Sequence, residues 1–253
     1  AMISRSCPMC SAIVEGEDIS AFGDTWMVHC ADAHADLPFP ERAVRNYGEG
    51  LGRMTGSAER LDEIGTVEIH PISEDRIDDW LDLFDHDVFA GFPQWSACYC
   101  AEPHLLSPDS PPDFVPPWQE TRAWMIDRLH DGTTFGYLAY VDGRVAGWVN
   151  ASKRCDYTLF GGEGDGDAGD ATVGVSCFAI APPYRAHGIA PKMLARALAD
   201  AAARGATHVE AYPFNENRGN DNPNFRGARR MYDDLGFTEV SVRERDVVVR
   251  RAV

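Results

Sequence analysis

The stretch TVGVSCFAIAPPYRAHGIAPKMLARALADAAARG, residues 172–205, restricts the fold more than any other part of the chain. A strand-like apolar run meets a short turn holding Arg185 and Gly188, and a long alanine-rich helical pattern starts at once. A strand passing straight into a helix implies a sheet with a helix laid on it, the layered arrangement of α/β proteins. The backbone N–H groups at the helix start have no partner within the helix and hold the positive end of its dipole, so an anion fits there. Gly188 lets a ligand approach without meeting a Cβ. Arg185 adds a planar charged fork suited to phosphate. The plainer alternative is a strand-to-helix connection with a surface arginine.

The flanking patterns complete a sheet. From Thr66, TVEIHPI reads as a strand. SEDRIDDWLDLF reads as a helix, with Ser73 as its cap and Ile77, Trp80, Leu81 and Phe84 on one face. Residues 102–117 hold six prolines and must be a loop. A helix follows between Pro117 and Gly132, then two strands about Asp142-Gly143, a strong hairpin signal. After the central strand, turn and helix come the strand THVEAYPF, a polar loop, the helix FRGARRMYDDLGF and two closing strands. The order β-α-α-β-β-β-α-β-α-β-β predicts an α/β (α+β) domain over 66–253, a mixed sheet flanked by helices.

At this point the sequence resembles the GNAT superfamily of acyl-CoA-dependent N-acyltransferases. That family's signature is a strand, Arg-x-x-Gly-x-Gly/Ala and a helix, here Arg185-Ala186-His187-Gly188-Ile189-Ala190 after FAIAP. A later Tyr-x-x-x-Gly-Phe helix end matches ARRMYDDLGF. The resemblance spans about residues 66–250 and implies acetyl-CoA as cosubstrate. It implies that Phe178 and Ile180 offer backbone groups to the pantetheine arm. Arg185, Ala186, His187, Gly188, Ile189 and Ala190 would hold the pyrophosphate, and Tyr232 would sit beside the sulfur. Many members carry Asn seven residues before that tyrosine; here Phe225 stands there, with Asn224 beside it.

Acyl transfer to an amine needs a neutral nucleophile, donors for the oxyanion and a proton for the leaving thiolate. Tyr232, of a residue type with a pKa near 10, is the expected acid. The central strand lacks a carboxylate, so Glu210 on the next strand is the candidate base. Cys177 reads as a small buried apolar residue. In QWSACYCAEPH, Trp95, Cys98 and Cys100 are the expected acceptor contacts.

Residues 1–47 form a separate unit, followed by a glycine-rich linker at 48–65. Cys7, Cys10, Cys30 and His34 make a four-ligand set that suits a tetrahedral zinc, with His29 as the alternative to His34. CPMCSA, WMVHC and ERAVRNY resemble zinc ribbons of the restriction-alleviation type.

The chain has 253 residues, seven cysteines and a net charge of −17. The acidity argues against a nucleic-acid partner and favours a cationic one. No apolar run reaches the roughly 20 residues of a membrane span, and no secretory signal is visible. The expectation is a cytoplasmic N-acetyltransferase for a small cationic amine, such as an aminoglycoside-like antibiotic, that is a monomer or a homodimer. Glu163, Asp165, Asp167 and Asp170 would make the approach to the site negative. A protein or peptide amine as acceptor, or a sensor that binds acyl-CoA without catalysis, are the alternatives.

Overall fold

The computed structural model describes residues 2–36, 41–110, 116–160, 171–215 and 224–253. Glu163, Asp165, Asp167 and Asp170 lie outside the described residues.

The sequence from Thr66 builds one seven-stranded mixed sheet. Its strands are β3 (Val67–Pro71), β4 (Gly136–Val141), β5 (Arg144–Asn150), β6 (Thr172–Ile180), β7 (His208–Ala211), β8 (Thr238–Val242) and β9 (Val247–Ala252). They lie in the order β3-β4-β5-β6-β7-β9-β8, with β6 and β7 the parallel pair. Helices α3 (Ile77–Asp82), α5 (Trp118–His130), α6 (Ile189–Ala201) and α7 (Arg229–Asp234) pack on it, with the short α4 (Glu102–Leu105) at one side. The strand period of two divides the core. Tyr137, Ala139 and Val149 face Met193, Leu194 and Ala197 of α6, whereas Leu138, Tyr140 and Trp148 face Trp80, Phe84 and Met125.

Three local expectations change. The helix after Ser73 is a 3-10 turn at Glu74–Arg76, then α3, then a π turn at Leu83–Asp87. Ser73 does not cap it, because its hydroxyl donates to Asp75 Oδ1 at 2.6 Å. The helix in FRGARRMYDDLGF begins only at Arg229, because Gly227 sits at φ +83° in the left-handed region.

The glycines read as a linker from residue 48 are largely helical. Helix α2 (Glu41–Arg53) runs through them. A Cβ on Gly48 would lie 2.7 Å from the Trp26 ring, and one on Gly50 would lie 2.1 Å from the Pro93 carbonyl oxygen. Glycine therefore serves close packing here, binding the N-terminal unit on one side and the turn at Pro93–Trp95 on the other. Arg53 ends the helix inside the larger domain, donating to Tyr99 Oη at 2.9 Å and Ser96 O at 2.6 Å, with its guanidinium 4.4 Å from the Trp118 ring.

The N-terminal unit is a hairpin, β1 (Ile3–Ser6) and β2 (Ile13–Gly16), followed by α1 (Ile19–Ala33). Asp18 caps α1 by accepting from Ala21 N at 2.8 Å. Phe22 and Trp26 on α1 bury against Val14 and Cys7. WMVHC is part of α1, so among the described residues of this unit it supplies a helix where a ribbon has a second hairpin.

A buried polar network ties α4 to the sheet. His104 is 5% exposed; Asn150 Nδ2 donates to its Nε2 at 2.9 Å, and its Nδ1–H donates to Asp156 O at 3.0 Å. Asn150 Oδ1 also accepts from Ser152 Oγ at 2.7 Å and Tyr157 Oη at 2.8 Å. Burial lowers the His104 pKa to about 4. An unfolded histidine binds a proton near pH 6.5. Unfolding therefore takes up a proton between about pH 6.5 and 4, and stability must fall as pH drops through that window, by about 3 kcal/mol from this residue. Urea unfolding at stepped pH should show this slope, and His104→Gln should flatten it; equal slopes for the two proteins would contradict the assignment.

Candidate active site

The site begins where β6 leaves β7. The parallel pairing covers Thr172↔His208 to Val175↔Ala211 and stops there, while β6 continues to Ile180 beside β5 alone. On the β5 side the register jumps from Val149↔Phe178 to Asn150↔Ser176, leaving Cys177 as a bulged residue at φ +57°. A bulge bends its strand and raises local twist. Beyond it opens a cleft of about 730 Å³ lined by Cys177, Phe178 and Ile180 on one wall and Phe214, Phe225 and Gly227 on another.

The Arg185–Ala190 turn forms one end of this cleft. Gly188 is the N-terminal cap of α6 at φ +74°, and Ala186 also lies in the left-handed region at φ +64°. Residues in such conformations turn successive N–H groups into an anion-binding concavity. A Cβ added to Gly188 would meet nothing within 4 Å, so the space in front of it is open. Arg185, Ala186, Gly188, Ile189 and Ala190 all line the cleft, as does Asn224.

Several expected residues sit differently. The Arg185 side chain is turned to the protein: Nε donates to Ile180 O at 2.8 Å and NH2 to Val88 O at 3.1 Å. It therefore fixes the turn, and the backbone is left to receive an anion. His187 leaves the cleft; its Nε2 lies 2.9 Å from Leu61 O, and Leu61 N donates to Pro183 O at 3.0 Å. The chain before β3 is thus strapped over the turn. Phe178 N donates to Phe225 O at 2.6 Å, so its amide has a partner within the protein.

Tyr232 does not line the cleft. It is fully buried, its hydroxyl donates to Arg226 O at 2.5 Å, and a Cβ on Gly227 would lie 2.7 Å from the Tyr232 hydroxyl oxygen. Burial pushes its pKa well above the ordinary value. The hydroxyl lies under the Arg226–Gly227 turn rather than on the cleft surface where the sequence reading expected it.

Glu210 is also elsewhere. It is 1% exposed, and both oxygens are taken: Oε1 by Arg154 Nε at 2.8 Å and Tyr212 Oη at 2.9 Å, Oε2 by Arg250 Nε at 2.8 Å. A carboxylate committed to two arginines is a buried ion-pair network and has no open lone pair with which to take a substrate proton.

Of the expected acceptor contacts, Trp95 and Cys98 line the cleft. Cys100 turns into the core at 0% exposure, with Sγ 3.9 Å from Cys177 O. Burial pushes the Cys98 thiol up to about 12, and the Cys100 contact followed by burial raises Cys177 well above its usual value. Neither is a thiolate at neutral pH, which disfavours a cysteine acyl-enzyme. Glu102 was missed in the sequence: it lines the same cleft from the start of α4, inside the very stretch singled out for its cysteines.

The second cluster lies in the N-terminal unit. Cys7, Cys10, His29 and His34 place their ligand atoms within 4.8 Å of one another. Cys7 Sγ is 3.5 Å from His34 Nε2, and Cys10 Sγ is 3.4 Å from His29 Nε2. Zinc–sulfur bonds of about 2.3 Å and zinc–nitrogen bonds of about 2.0 Å set the S···N edge of a tetrahedron at about 3.5 Å. The donor set fits zinc. His29 replaces the expected Cys30, because adjacent helical residues point about 100° apart and only one can face the hairpin. The spacing Cys-x2-Cys-x18-His-x4-His was available as the signal.

No helix of the described residues is long and apolar enough to cross a membrane. The sequence matches the family described as Acetyltransferase (GNAT) family over residues 103–237. No curated protein matches it. Similar solved structures include yncA of Salmonella typhimurium with its cofactor acetyl-CoA, at 15% identity over 74% of this chain and 93% of that one, TM-score 0.43. The paia N-acetyltransferase of Thermoplasma acidophilum in complex with coenzyme A has 13% identity over 74% and 99%, TM-score 0.45. Ribosomal-protein-alanine N-acetyltransferase of Brucella melitensis has 16% identity over 74% and 99%, TM-score 0.44. With more than half of its length covered by the family match, the chain belongs to the acetyltransferase (GNAT) family and is an acyl-CoA N-acyltransferase by class.

Proposed function

We propose that the protein transfers an acetyl group from acetyl-CoA to a primary amine of a small, positively charged acceptor, directly and without a covalent enzyme intermediate. The observation that carries this reading is the pair of left-handed residues, Ala186 and Gly188, at the start of α6 on the wall of the cleft. The backbone amides of Ala186–Ala190 bind the pyrophosphate, and Arg185 keeps the turn in shape through Ile180 O and Val88 O. The pantetheine arm lies along the edge of β6 that β7 no longer covers, past Ile180 and Phe178, with Asn224 opposite. The thioester then reaches the bulge at Cys177.

At the bulge the amine nitrogen attacks the thioester carbon. The C–N bond forms, the C–S bond breaks, and the leaving thiolate takes a proton from the attacking nitrogen. Tyr232 buttresses the Arg226–Gly227 turn from behind the cleft wall.

The N-terminal unit, residues 2–36, carries a structural zinc on Cys7, Cys10, His29 and His34. The metal would stabilise a unit too small to hold together by its apolar residues alone. Helix α2, packed on this unit at Gly48, supports the turn at Pro93–Trp95 through Gly50.

Three outcomes are expected. Gly188→Asp puts a carboxylate where phosphate lies, at a cost of about 1 kcal/mol for a side chain in the left-handed region, so calorimetry should show acetyl-CoA affinity lost while the protein stays folded with a slightly lower Tm; native affinity would contradict the turn's role. Tyr232→Phe should lower kcat less than about tenfold, whereas a fall of about 10²–10⁴-fold would make the tyrosine a general acid after all. Elemental analysis should find one zinc per chain, lost in His29→Ala and kept in Cys30→Ser; the reverse pattern would restore Cys30 as the ligand.

A further inference from the structure

The cleft wall is apolar almost throughout. Val88, Phe89, Trp95, Leu105, Phe214 and Phe225 all contribute to it. Among the described residues that line it, Glu102 is the one carboxylate. Its side chain is 26% exposed, and Oε1 accepts from Arg226 NH2 at 3.4 Å. Oε2 has no hydrogen-bond partner among the described residues.

The support behind Glu102 is rigid. Arg226 is 5% exposed and donates to Asp246 Oδ2 at 2.9 Å. Its guanidinium lies 4.5 Å from the Phe214 ring centroid and 4.9 Å from that of Phe160. Asp246 also accepts from Arg243 Nε at 2.6 Å. Arg226 thus fixes the position of the Glu102 carboxylate through Oε1 and leaves Oε2 facing the cleft. His104, two residues along α4, anchors the helix to Asn150 beside the bulge. The other polar or charged side chains that line the cleft are Cys98 and Cys177, Gln94, Thr121, Asn224, Arg185 and Arg245. Glu102, Cys98 and Cys177 line the same cleft, and the charge of Glu102 contributes to raising both thiols.

We infer that Glu102 holds the acceptor's ammonium group and takes its proton, and that the acceptor is an amine with an apolar, aryl or alkyl body. This rests on the acetyl-transfer reading above. An ammonium ion enters with its body against Phe89, Trp95 and Phe225 and its charge at Glu102 Oε2. One proton passes to Glu102, and the neutral nitrogen attacks the thioester carbon. The C–N bond forms and the C–S bond breaks. The second proton goes from nitrogen to the thiolate, and Glu102 releases the first to water. Amide, thiol and one proton balance the ammonium and the thioester. A polyhydroxylated polyamine needs many polar partners. The described wall offers one carboxylate and long apolar surface, which suits a lipophilic monoamine instead.

The test uses the full chain, acetyl-CoA, phenethylamine and spermidine. Calorimetry first measures acetyl-CoA binding; native protein that does not bind it refutes the acetyl-transfer reading itself. Thiol release and mass spectrometry then follow acetylation. Native protein is expected to acetylate phenethylamine with at least about tenfold higher kcat/KM than spermidine. Glu102→Gln is expected to lose about 10²–10⁴-fold in kcat/KM for phenethylamine. It should also lose the acid limb of the pH profile, with acetyl-CoA affinity unchanged. Glu102→Asp should recover part of the activity and the acid limb, and it serves as the test variant should the glutamine protein fail to fold. Three results would overturn the inference: native protein that binds acetyl-CoA but does not acetylate phenethylamine, a preference for spermidine, or variants with native kcat/KM and pH profile.

Discussion

The parting of β6 from β7 beyond Val175 is the constraint on which the rest of this architecture depends. A buried backbone edge cannot stay without partners. Where the parallel ladder stops, Phe178 N turns to Phe225 O, so the segment before α7 is drawn onto the open edge. The bulge at Cys177 redirects the strand at the same level. Both effects widen the gap at the C-terminal end of the parallel strand, beside the start of α6. Open α/β sheets bind ligands in this kind of crevice. The site is therefore a defect in the sheet, maintained by the well-packed ladders on either side of it.

That defect recruits distant parts of the chain. Arg185 reaches back to Val88 across 97 residues, and His187 to Leu61 across 126. Helix α2 lies on the turn at Pro93–Trp95 through Gly50 and ends with Arg53 buried against Tyr99 and Trp118. The N-terminal unit is thus mechanically continuous with the cleft wall. Its four-donor cluster stands at the other end of this connection, where a bound metal would stiffen the hairpin and helix that α2 rests on.

What was legible in the sequence is what local chemistry decides. The strand, the Arg-x-x-Gly turn and the helix are neighbours in sequence, so Gly188 and the open α6 start could be read directly. Asp142-Gly143 fixed the hairpin for the same reason. The misses share a different cause, long-range partnership. Glu210 looked like an available acid because Arg154 and Arg250, 56 and 40 residues away, are invisible to a local pattern. Tyr232 kept its place on α7, but the left-handed Gly227 put a backbone turn between it and the cleft. Gly48, Gly50 and Gly52 suggested a linker because glycine disfavours a lone helix, and only the packed neighbours make their lack of a Cβ an advantage. Glu102 was hidden among more conspicuous cysteines.

The central claim is that the edge of β6 and the turn that follows it form the coenzyme seat. Amide hydrogen exchange with and without coenzyme A tests this most directly, because it reads the backbone groups to which the proposal assigns the binding. The account predicts slower exchange on adding coenzyme A at residues 186–190 and 177–180, with residues 3–33 unchanged. Protection absent from both segments, or confined to the N-terminal unit, would contradict it.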